Sequence, residues 1–495
     1  MSSARMRTTR EPTRDQMNVL HILSDQHQAA CMGCEGHAQA LTPNMDRLAS
    51  EGMRFSAAYT QNPICTPSRM SMYTGQYCHN HGFFGLGGPR PEGMQSFLGH
   101  FKQHGYKTAV IGKTHVPNQP RDWLLDHVDY WMSGTSTPVP DAGGLSPYQT
   151  FLAGAGLLEQ NDNFRITGYP ALHPVGLPQN QFRARPSELP LEYNVESWCV
   201  DRAIEFMERC EGDSFCMQVS LPRPHAPYTP DRKFWDMYAD DIALPETYYQ
   251  DPSGRPPHFR DMHSRFQRAW EGEEWSPEEG ARNIWRGYLG CVTQVDYCIG
   301  RLLDYLDERG LAGDTIVVYN SDHGAYSTAF GIQEKAPGIC SEAVCRVPML
   351  WRVPGVAGAG RVCDALVENV DLAPTFMSLC GLPAMEGMDG VDISELLRGG
   401  TDPVHEVAVT EHRHSKALRW GKWRYVHYQP EDFGGDCGEL YDLEADPHEA
   451  RNLYGEQAYQ EIVEQCEKLL CHWLISTRQY RTAFSVGAGN ETNYV

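Results

Sequence analysis

The sequence predicts an α/β protein with a large sandwich built on a mainly parallel central sheet, followed by a smaller C-terminal α+β subdomain with an antiparallel sheet. Short, nearly continuous apolar runs that end in polar residues are typical of strands buried on both faces. Such runs lie at residues 17–24, 107–111, 214–220 and 315–320. Apolar residues also recur at helical spacing, most clearly over residues 277–309. Beyond residue 401 the pattern changes to short alternating strands, which indicates the antiparallel sheet.

The same changes of pattern divide the chain into three parts. Residues 1–16 are predicted to be a polar tail, residues 17–400 the large domain, and residues 401–495 the C-terminal subdomain. Two long segments rich in Gly, Pro and polar residues, 131–191 and 251–276, interrupt the large domain. Long segments with little periodicity are commonly functional loops, so we interpret both as loops that shape a binding pocket.

The composition limits the partners and the compartment. A net charge of −22 argues against nucleic acid and anionic membrane surfaces, so an anionic ligand would need a local basic pocket. No apolar run is long enough to span a bilayer, and the basic N-terminal residues show no apolar signal core. The sixteen cysteines have no framework spacing, as is typical of reduced thiols. We therefore expect a cytoplasmic protein.

The pentapeptide 65–69, Cys-Thr-Pro-Ser-Arg, is the most informative stretch. Its proline is placed to open a helix, and the N–H groups and dipole at a helix N-terminus favour anions. From the residues alone, Cys65 is either a buried structural cysteine or a thiolate nucleophile whose pKa is lowered by the helix end and by Arg69. The pattern predicts a site for an oxyanion ester.

Candidate metal ligands follow two of the predicted strands. Asp25 and Gln26 come directly after the run 17–24, and Asp322 and His323 come after the run 315–320. In open α/β sheets ligands bind at the carboxyl ends of the strands. Oxygen donors with one imidazole suit a divalent cation. The plain alternative is that each aspartate caps a helix or forms a turn.

Candidate cationic and titratable groups lie on other strand-end loops. Lys113 and His115 follow the run 107–111, His225 stands on a loop held by prolines, and Lys335 lies twelve residues after His323. A fixed cation near a titratable base can neutralise an anion and move a proton. The plain alternatives are a solvated lysine beside a loop histidine, a turn histidine and a surface lysine, respectively.

Together these motifs resemble those of the type I sulfatases, in which the cysteine of a Cys-x-Pro-x-Arg signature is oxidised to formylglycine. The match extends to Thr74-Gly75, to the Gly-Lys-x-His element at 112–115 and to the Pro-His-x-Pro-Tyr element at 224–228. Gln76 stands where arginine is usual. Gln26 stands where a second aspartate is common. Related phosphonate monoester hydrolases also show Asp-Gln, although they tend to lack the Lys113–His115 pair.

The resemblance implies an alkaline-phosphatase-like sandwich whose catalytic domain is residues 17–400. It implies a divalent metal, Ca²⁺ foremost with Mn²⁺ or Mg²⁺ as alternatives, bound by Asp25, Gln26, Cys65, Asp322 and His323. Formylglycine made from Cys65 would attack sulfur, and His115 would take a proton from its second hydroxyl to expel sulfate. Substrate binding would fall to Arg69, Lys113, His225 and Lys335. Arg69, Lys113 and Lys335 would neutralise charge, and His225, with Lys335, would protonate the leaving oxygen.

The implied partners are a sulfated small molecule or saccharide and an enzyme that matures the Cys65 motif. Hydrolysis of a phosphonate or phosphate monoester by the same site is an alternative, which the Asp25-Gln26 pair favours. A third reading is a sulfated-glycan binder in which Cys65 is never converted. The retention of every cationic position argues against that reading.

Overall fold

A computed structural model describes residues 16–86, 93–116, 123–133, 145–161, 184–333, 335, 340–356, 359–433 and 435–478. The predicted N-terminal tail, apart from its last residue, and most of the predicted 131–191 loop lie outside these ranges. The fold below is that of the described residues.

The strands form three sheets within the described ranges. They are β1 (Asn18–Asp25), β2 (Met53–Phe55), β3 (Ala58–Tyr59), β4 (Lys107–Gly112), β5 (Tyr130–Ser133), β6 (Phe215–Pro224), β7 (Thr315–Ser321), β8 (Met349–Arg352), β9 (Arg361–Cys363), β10 (Val367–Glu368), β11 (Ala408–His412), β12 (Ser415–Trp420), β13 (Trp423–Tyr428) and β14 (Gly438–Asp442). The largest sheet has eight strands in the order β5-β4-β6-β1-β7-β8-β2-β9, and β3 pairs with β10 separately. In the large sheet only β8 runs antiparallel to its neighbours, which confirms the predicted mainly parallel sheet.

The α-helices connect and cover these strands. They are α1 (Pro43–Glu51), α2 (Cys65–Thr74), α3 (Cys78–His81), α4 (Phe97–Gln103), α5 (Pro147–Gly154), α6 (Val195–Arg209), α7 (Arg232–Trp235), α8 (Pro257–Arg268), α9 (Pro277–Glu308), α10 (Glu342–Cys345), α11 (Leu372–Leu379), α12 (Ser394–Leu397), α13 (Pro430–Phe433) and α14 (Gln460–Thr477). Among the described residues we found no helix with the length and apolar character needed to cross a bilayer.

Helices pack on both faces of the large sheet, and the central strand β1 contributes apolar side chains to both faces. All eight of its residues are buried, as expected for a strand covered on both sides. Val19 and Leu23 join the core under α4 and α11, whereas Leu20 and Ile22 join the core under α6 and α9. Side chains alternate between the faces of a strand, so one short apolar run serves two cores. The domain is therefore a three-layer α/β/α sandwich.

The predicted 131–191 loop contains regular structure that the sequence reasoning missed. Strand β5 extends the large sheet at its edge by pairing in parallel with β4. Helix α5 begins with a reciprocal cap in which Ser146 Oγ accepts from Gln149 N at 3.2 Å and Gln149 Oε1 accepts from Ser146 N at 2.9 Å. The prediction of an irregular loop was wrong here, because elements of one or two turns are too short to show a period.

The predicted 251–276 loop is also partly helical. Helix α8 occupies twelve of its residues, and its buried Phe259 and Phe266 anchor it to the domain. Proline at the first helical position starts this helix, in keeping with the preference of that position for proline. The prolines that suggested a loop therefore mark a helix start.

The C-terminal subdomain has the predicted antiparallel sheet. Strands β11 to β14 pair in sequence order, each antiparallel to the next. One face packs on α14 through buried residues that include Leu418, Leu440, Leu470 and Trp473. The other face packs against the large domain through Ala417, Val426 and Tyr428, next to Tyr59 of β3.

A largely buried ion pair connects the subdomain to the large domain. His405, on the segment that leads into β11, lies with its Nε2 2.8 Å from Asp371 Oδ2. Beside this pair, Glu368 accepts hydrogen bonds from Tyr77 Oη at 2.5 Å and from Val409 N at 2.8 Å. Burial lowers the pKa of His405, but Asp371 and then Glu368 outweigh burial and raise it to about 9.

We expect His405→Ala to destabilise the protein in a pH-dependent way. The pKa of His405 in the folded state, about 9, exceeds its ordinary value of 6.5, so its contribution is fully present below pH 6.5 and is lost as the pH rises through about 9. The variant should lose roughly 3 kcal/mol of unfolding free energy at low pH and much less above the folded-state value. Chemical unfolding of both proteins at about pH 6 and about pH 10 measures this difference. An equal loss at both pH values would show that the charge of His405 is not involved.

Candidate active site

Four adjacent parallel strands bring the predicted site residues to one edge of the sheet. Strands β4, β6, β1 and β7 are neighbours, and their carboxyl ends therefore point to the same side. Asp25 ends β1, Lys113 follows β4, His225 follows β6, and Asp322 follows β7. Helix α2 starts at the same edge with Cys65 as its first residue.

Cys65 lies at the centre of this group. Its side chain is buried, and its Sγ lies 3.2 Å from His323 Nε2, 3.8 Å from Asp25 Oδ1 and 3.9 Å from Lys113 Nζ. The helix begins two residues earlier than the proline suggested, since Pro67 occupies its third position. Proline is tolerated there because the first-turn N–H groups have no partner within the helix. The earlier start places Cys65 itself at the helix N-terminus.

The arrangement fits a divalent cation. Candidate ligand atoms of Asp25, Cys65, Asp322 and His323 all lie within 4.8 Å of one another, and all four side chains are buried. Gln26 lies beside them, where its backbone N–H donates to Asp322 Oδ1 at 3.0 Å. Its Oε1 accepts from Lys335 Nζ at 2.7 Å, while its buried Nε2 has no hydrogen-bond partner. Two carboxylates and an amide oxygen at one buried point are the donors that hard cations prefer.

Arg69 contacts both carboxylates of the candidate metal site. It is completely buried, and its Nε donates to Asp322 Oδ2 at 2.8 Å while its Nη2 donates to Asp25 Oδ2 at 3.3 Å. Its Nη1 donates to the Lys113 carbonyl at 2.7 Å and to Ser220 Oγ at 2.8 Å. We predicted that Arg69 neutralises substrate oxygens. In the structure it orients the candidate metal ligands, and its direct role toward substrate stays a prediction.

Ser220 is a site residue that the sequence reasoning missed. It lies within β6, and its hydroxyl accepts from Arg69 at 2.8 Å. A serine inside an apolar strand run gives no signal by itself. The one available clue was the position of Ser220 near the carboxyl end of the strand, because that end faces the site.

The local charges keep Asp25 ionised. Burial alone would raise the pKa of its carboxyl group, but positive neighbours outweigh burial and hold this pKa well below its usual range. In order of effect these neighbours are Lys113, His225, Arg69 and Lys335. Lys113 also forms a direct ion pair with Asp25 Oδ2. The candidate metal ligand is therefore a carboxylate at neutral pH.

The same charges act on Cys65 and His323. Burial and the carboxylate of Asp25 raise the pKa of the Cys65 thiol, but Lys113, Lys335 and His323 together bring it well below its ordinary value. Burial lowers the pKa of His323, but Asp322 and then Cys65 outweigh burial, so this pKa lies above its ordinary value. The cations near this sulfur thus outweigh the carboxylate of Asp25, which is the balance of charge that an oxyanion requires.

Two predicted proton-transfer residues stand at the rim. The carbonyl of His115 accepts from Thr66 Oγ1 at 2.9 Å, and this contact connects the loop after β4 to the first turn of α2. The buried Nδ1 of the His115 ring has no hydrogen-bond partner. His225 is partly exposed, with Nδ1 2.6 Å from the Ala226 carbonyl. The structure thus brings both histidines to the edge that holds Cys65, and their catalytic roles stay predictions.

Comparison with known proteins identifies the family. The family model described as Sulfatase matches residues 17–382, and a second model, described as N-sulphoglucosamine sulphohydrolase, C-terminal, matches residues 338–474. An arylsulfatase from Clostridium perfringens is 27% identical over 470 residues, which cover 92% of this chain and 93% of that protein. The first model alone spans well over half of the chain.

Solved structures show the same fold. A protein solved in complex with its substrate D-glucosamine-2-N,6-O-disulfate superimposes with a TM-score of 0.74 at 23% identity, covering 93% of this chain and 98% of that one. The phosphonate monoester hydrolase of Agrobacterium radiobacter gives a TM-score of 0.75 at 20% identity, covering 94% and 96% respectively. The predicted α/β sandwich is confirmed. The chain belongs to the sulfatase family, the sulfuric ester hydrolases of the alkaline phosphatase superfamily.

Proposed function

We propose that this protein hydrolyses a sulfate ester to an alcohol and inorganic sulfate, through a formylglycine made from Cys65. The observation that carries the proposal is the position of Cys65 as the first residue of α2, among two carboxylates, an imidazole and two lysines. A helix N-terminus lined by cations suits a tetrahedral oxyanion. Once oxidised and hydrated, residue 65 would supply one hydroxyl to attack sulfur and a second whose deprotonation expels sulfate.

We propose that Asp25, Gln26, Asp322 and His323 hold a divalent metal together with residue 65. Oxygen donors favour Ca²⁺, and the imidazole of His323 leaves Mn²⁺ or Mg²⁺ as alternatives. When bound, the metal would acidify the attacking hydroxyl and offset charge on the sulfuryl group. Gln26 would join this set if its Oε1 turned from Lys335 Nζ toward the metal, and its buried Nε2 has no hydrogen-bond partner that this turn would break.

The surrounding residues would carry charge and protons. Lys113 Nζ lies 3.9 Å from Cys65 Sγ, close enough to bind a sulfuryl oxygen, and Lys335, which donates to Gln26 Oε1 at 2.7 Å, also lowers the pKa of the Cys65 thiol. His225, at the rim, would protonate the leaving oxygen, with Lys335 as its partner. His115, tied to the first turn of α2, would accept the proton from the second hydroxyl.

The substrate that we propose is a sulfated saccharide or a small aryl or alkyl sulfate. In support, a protein of the same fold binds D-glucosamine-2-N,6-O-disulfate as its substrate, and a relative is an arylsulfatase. The buried position of Cys65 also limits what reaches it to a small group such as the sulfate, while the alcohol portion stays near the rim.

We expect mass spectrometry to find formylglycine at position 65 when the protein is produced together with a maturing enzyme. The tryptic peptide that carries residue 65 should show the mass of the aldehyde in that preparation and the mass of the thiol in protein made without the maturing enzyme. Turnover of a chromogenic aryl sulfate should follow the aldehyde fraction. Full activity in a preparation with only the thiol would contradict the formylglycine step.

A further inference from the structure

The C-terminal subdomain has a two-residue turn between β11 and β12. Register pairs His412 with Ser415, so Arg413 and His414 form a two-residue turn. Arg413 is exposed, His414 is partly exposed, and both belong to the C-terminal subdomain. The subdomain therefore presents a basic turn.

The strand that leads into this turn, β11, is hydrogen-bonded to the residues that lead into Cys65. Thr410 Oγ1 donates to the Thr60 carbonyl at 2.6 Å, and Glu411 N donates to the Gln61 carbonyl at 2.7 Å. Asn62 Nδ2 then donates to the Glu411 carbonyl at 2.5 Å. These contacts advance in the same direction along both segments. Along one segment the turn comes after Glu411, and along the other segment the start of α2 comes after Asn62.

The connection to the nucleophile position is direct. Asn62 Oδ1 accepts from Ile64 N at 2.9 Å, and Ile64 caps the helix whose first residue is Cys65. Ile64 is partly exposed, whereas Cys65 is buried, so the chain opens toward solvent on the side of Ile64. The alcohol portion of a bound ester, which cannot enter with the sulfate, would lie on that side.

The acidic side chains beside the turn, Glu411 and Asp432, each contact a neighbouring lysine or histidine. Lys416 Nζ donates to the His412 carbonyl at 3.0 Å and lies 3.7 Å from Glu411 Oε2. The other oxygen of Glu411, Oε1, contacts His79. His412 is 6% exposed, and its buried Nδ1 has no hydrogen-bond partner. Burial, followed by His414, Lys416 and Arg413, lowers the pKa of His412 to about 4, so this imidazole is neutral. His414 is itself 2.6 Å from Asp432 Oδ2.

We propose that Arg413 forms a subsite for a second anionic group on the alcohol portion of the substrate. This inference rests on the function proposed above and narrows its substrate to a saccharide that carries another sulfate or a carboxylate. In a chain with a net charge of −22, the exposed guanidinium of Arg413 would give such a substrate a local attraction against the unfavourable net charge. Guanidinium matches either anion because its N–H groups fit two oxygens at once.

The test compares substrates that differ in the second anion. The ratio of kcat/KM for D-glucosamine-2-N,6-O-disulfate to kcat/KM for N-acetylglucosamine-6-O-sulfate is measured for matured wild type and for Arg413→Ala. We expect the variant to lower this ratio about tenfold, mainly through KM, and Arg413→Lys to restore part of it. A sulfated disaccharide containing a uronate tests the carboxylate in the same way, and the larger effect identifies the anion.

The control is Arg309→Ala, which removes an exposed arginine paired with Glu208 near the amino end of β7, away from the site. An unchanged ratio in Arg413→Ala, or an equal change in the control, would overturn the subsite. Calorimetric binding of the disulfate to wild type and Arg413→Ala, which needs no turnover, separates the two proposals. If no sulfate ester is hydrolysed but binding still weakens about tenfold in Arg413→Ala, the proposed reaction fails and the subsite stands. Equal binding overturns the subsite.

Discussion

Cys65→Ala is expected to reduce sulfate ester hydrolysis by roughly 10⁴-fold or more, because it removes the group from which the proposed nucleophile is made. Structural damage should be small. The side chain lies at the first position of α2, where alanine is compatible with a helix, and the thiol contributes only long contacts of 3.2 to 3.9 Å to its neighbours. The rate with a chromogenic aryl sulfate and the melting temperature, measured on the same preparation, test both parts of this expectation.

A buried cysteine outside the site provides the control. Cys298 lies on α9 in the core on the other side of β1 and is completely buried. Cys298→Ala should therefore lower stability without lowering activity at a temperature where the protein stays folded. If Cys65→Ala kept a substantial fraction of the wild-type rate, the nucleophile would have to be sought elsewhere in the site.

Asp25→Asn is expected to weaken metal binding and to lower activity by at least about 100-fold. The substitution keeps the shape of the side chain but removes a charge that four positive groups hold in place. Arg69 would keep its contact of 2.8 Å with Asp322, so the fold should survive. Metal content after dialysis, and the rise of melting temperature on adding Ca²⁺, Mn²⁺ or Mg²⁺, measure the loss without relying on activity.

Asp296→Asn is the matched control for that measurement. Asp296 is a buried carboxylate that accepts from Asn44 N at 2.9 Å and from Met45 N at 2.7 Å, at the start of α1. Its replacement should affect stability but not metal content. Equal metal binding by Asp25→Asn and wild type would remove Asp25 from the set of ligands.

The position of the site could be predicted because it depends on topology. Asp25 and Asp322 each follow an apolar run, and parallel strands place their carboxyl ends along one edge whatever the exact side-chain positions. The resemblance of the Cys65 pentapeptide then identified the family, which the comparisons confirm. Both inferences use features that are local in sequence and regular in space.

The roles of individual cations could not be predicted in the same way. Arg69 was expected to contact the substrate, which stays a prediction, and the structure adds contacts with Ser220 and Asp322, which lie more than 150 residues away in the chain. The direction of a long flexible side chain depends on which groups the tertiary structure brings near it. Spacing in the sequence does not indicate which groups these are. The same reason applies to Lys335, whose contact with Gln26 depends on how two distant loops meet.

The decisive measurement is the kcat/KM of the matured protein for an aryl sulfate and for the phosphonate monoester with the same leaving group, together with the mass of the residue-65 peptide. The account predicts formylglycine at position 65, faster hydrolysis of the sulfate, and loss of both activities in Cys65→Ala. Faster hydrolysis of the phosphonate would assign the protein to the alternative that Gln26 favours, and an unmodified thiol in fully active protein would contradict the mechanism itself.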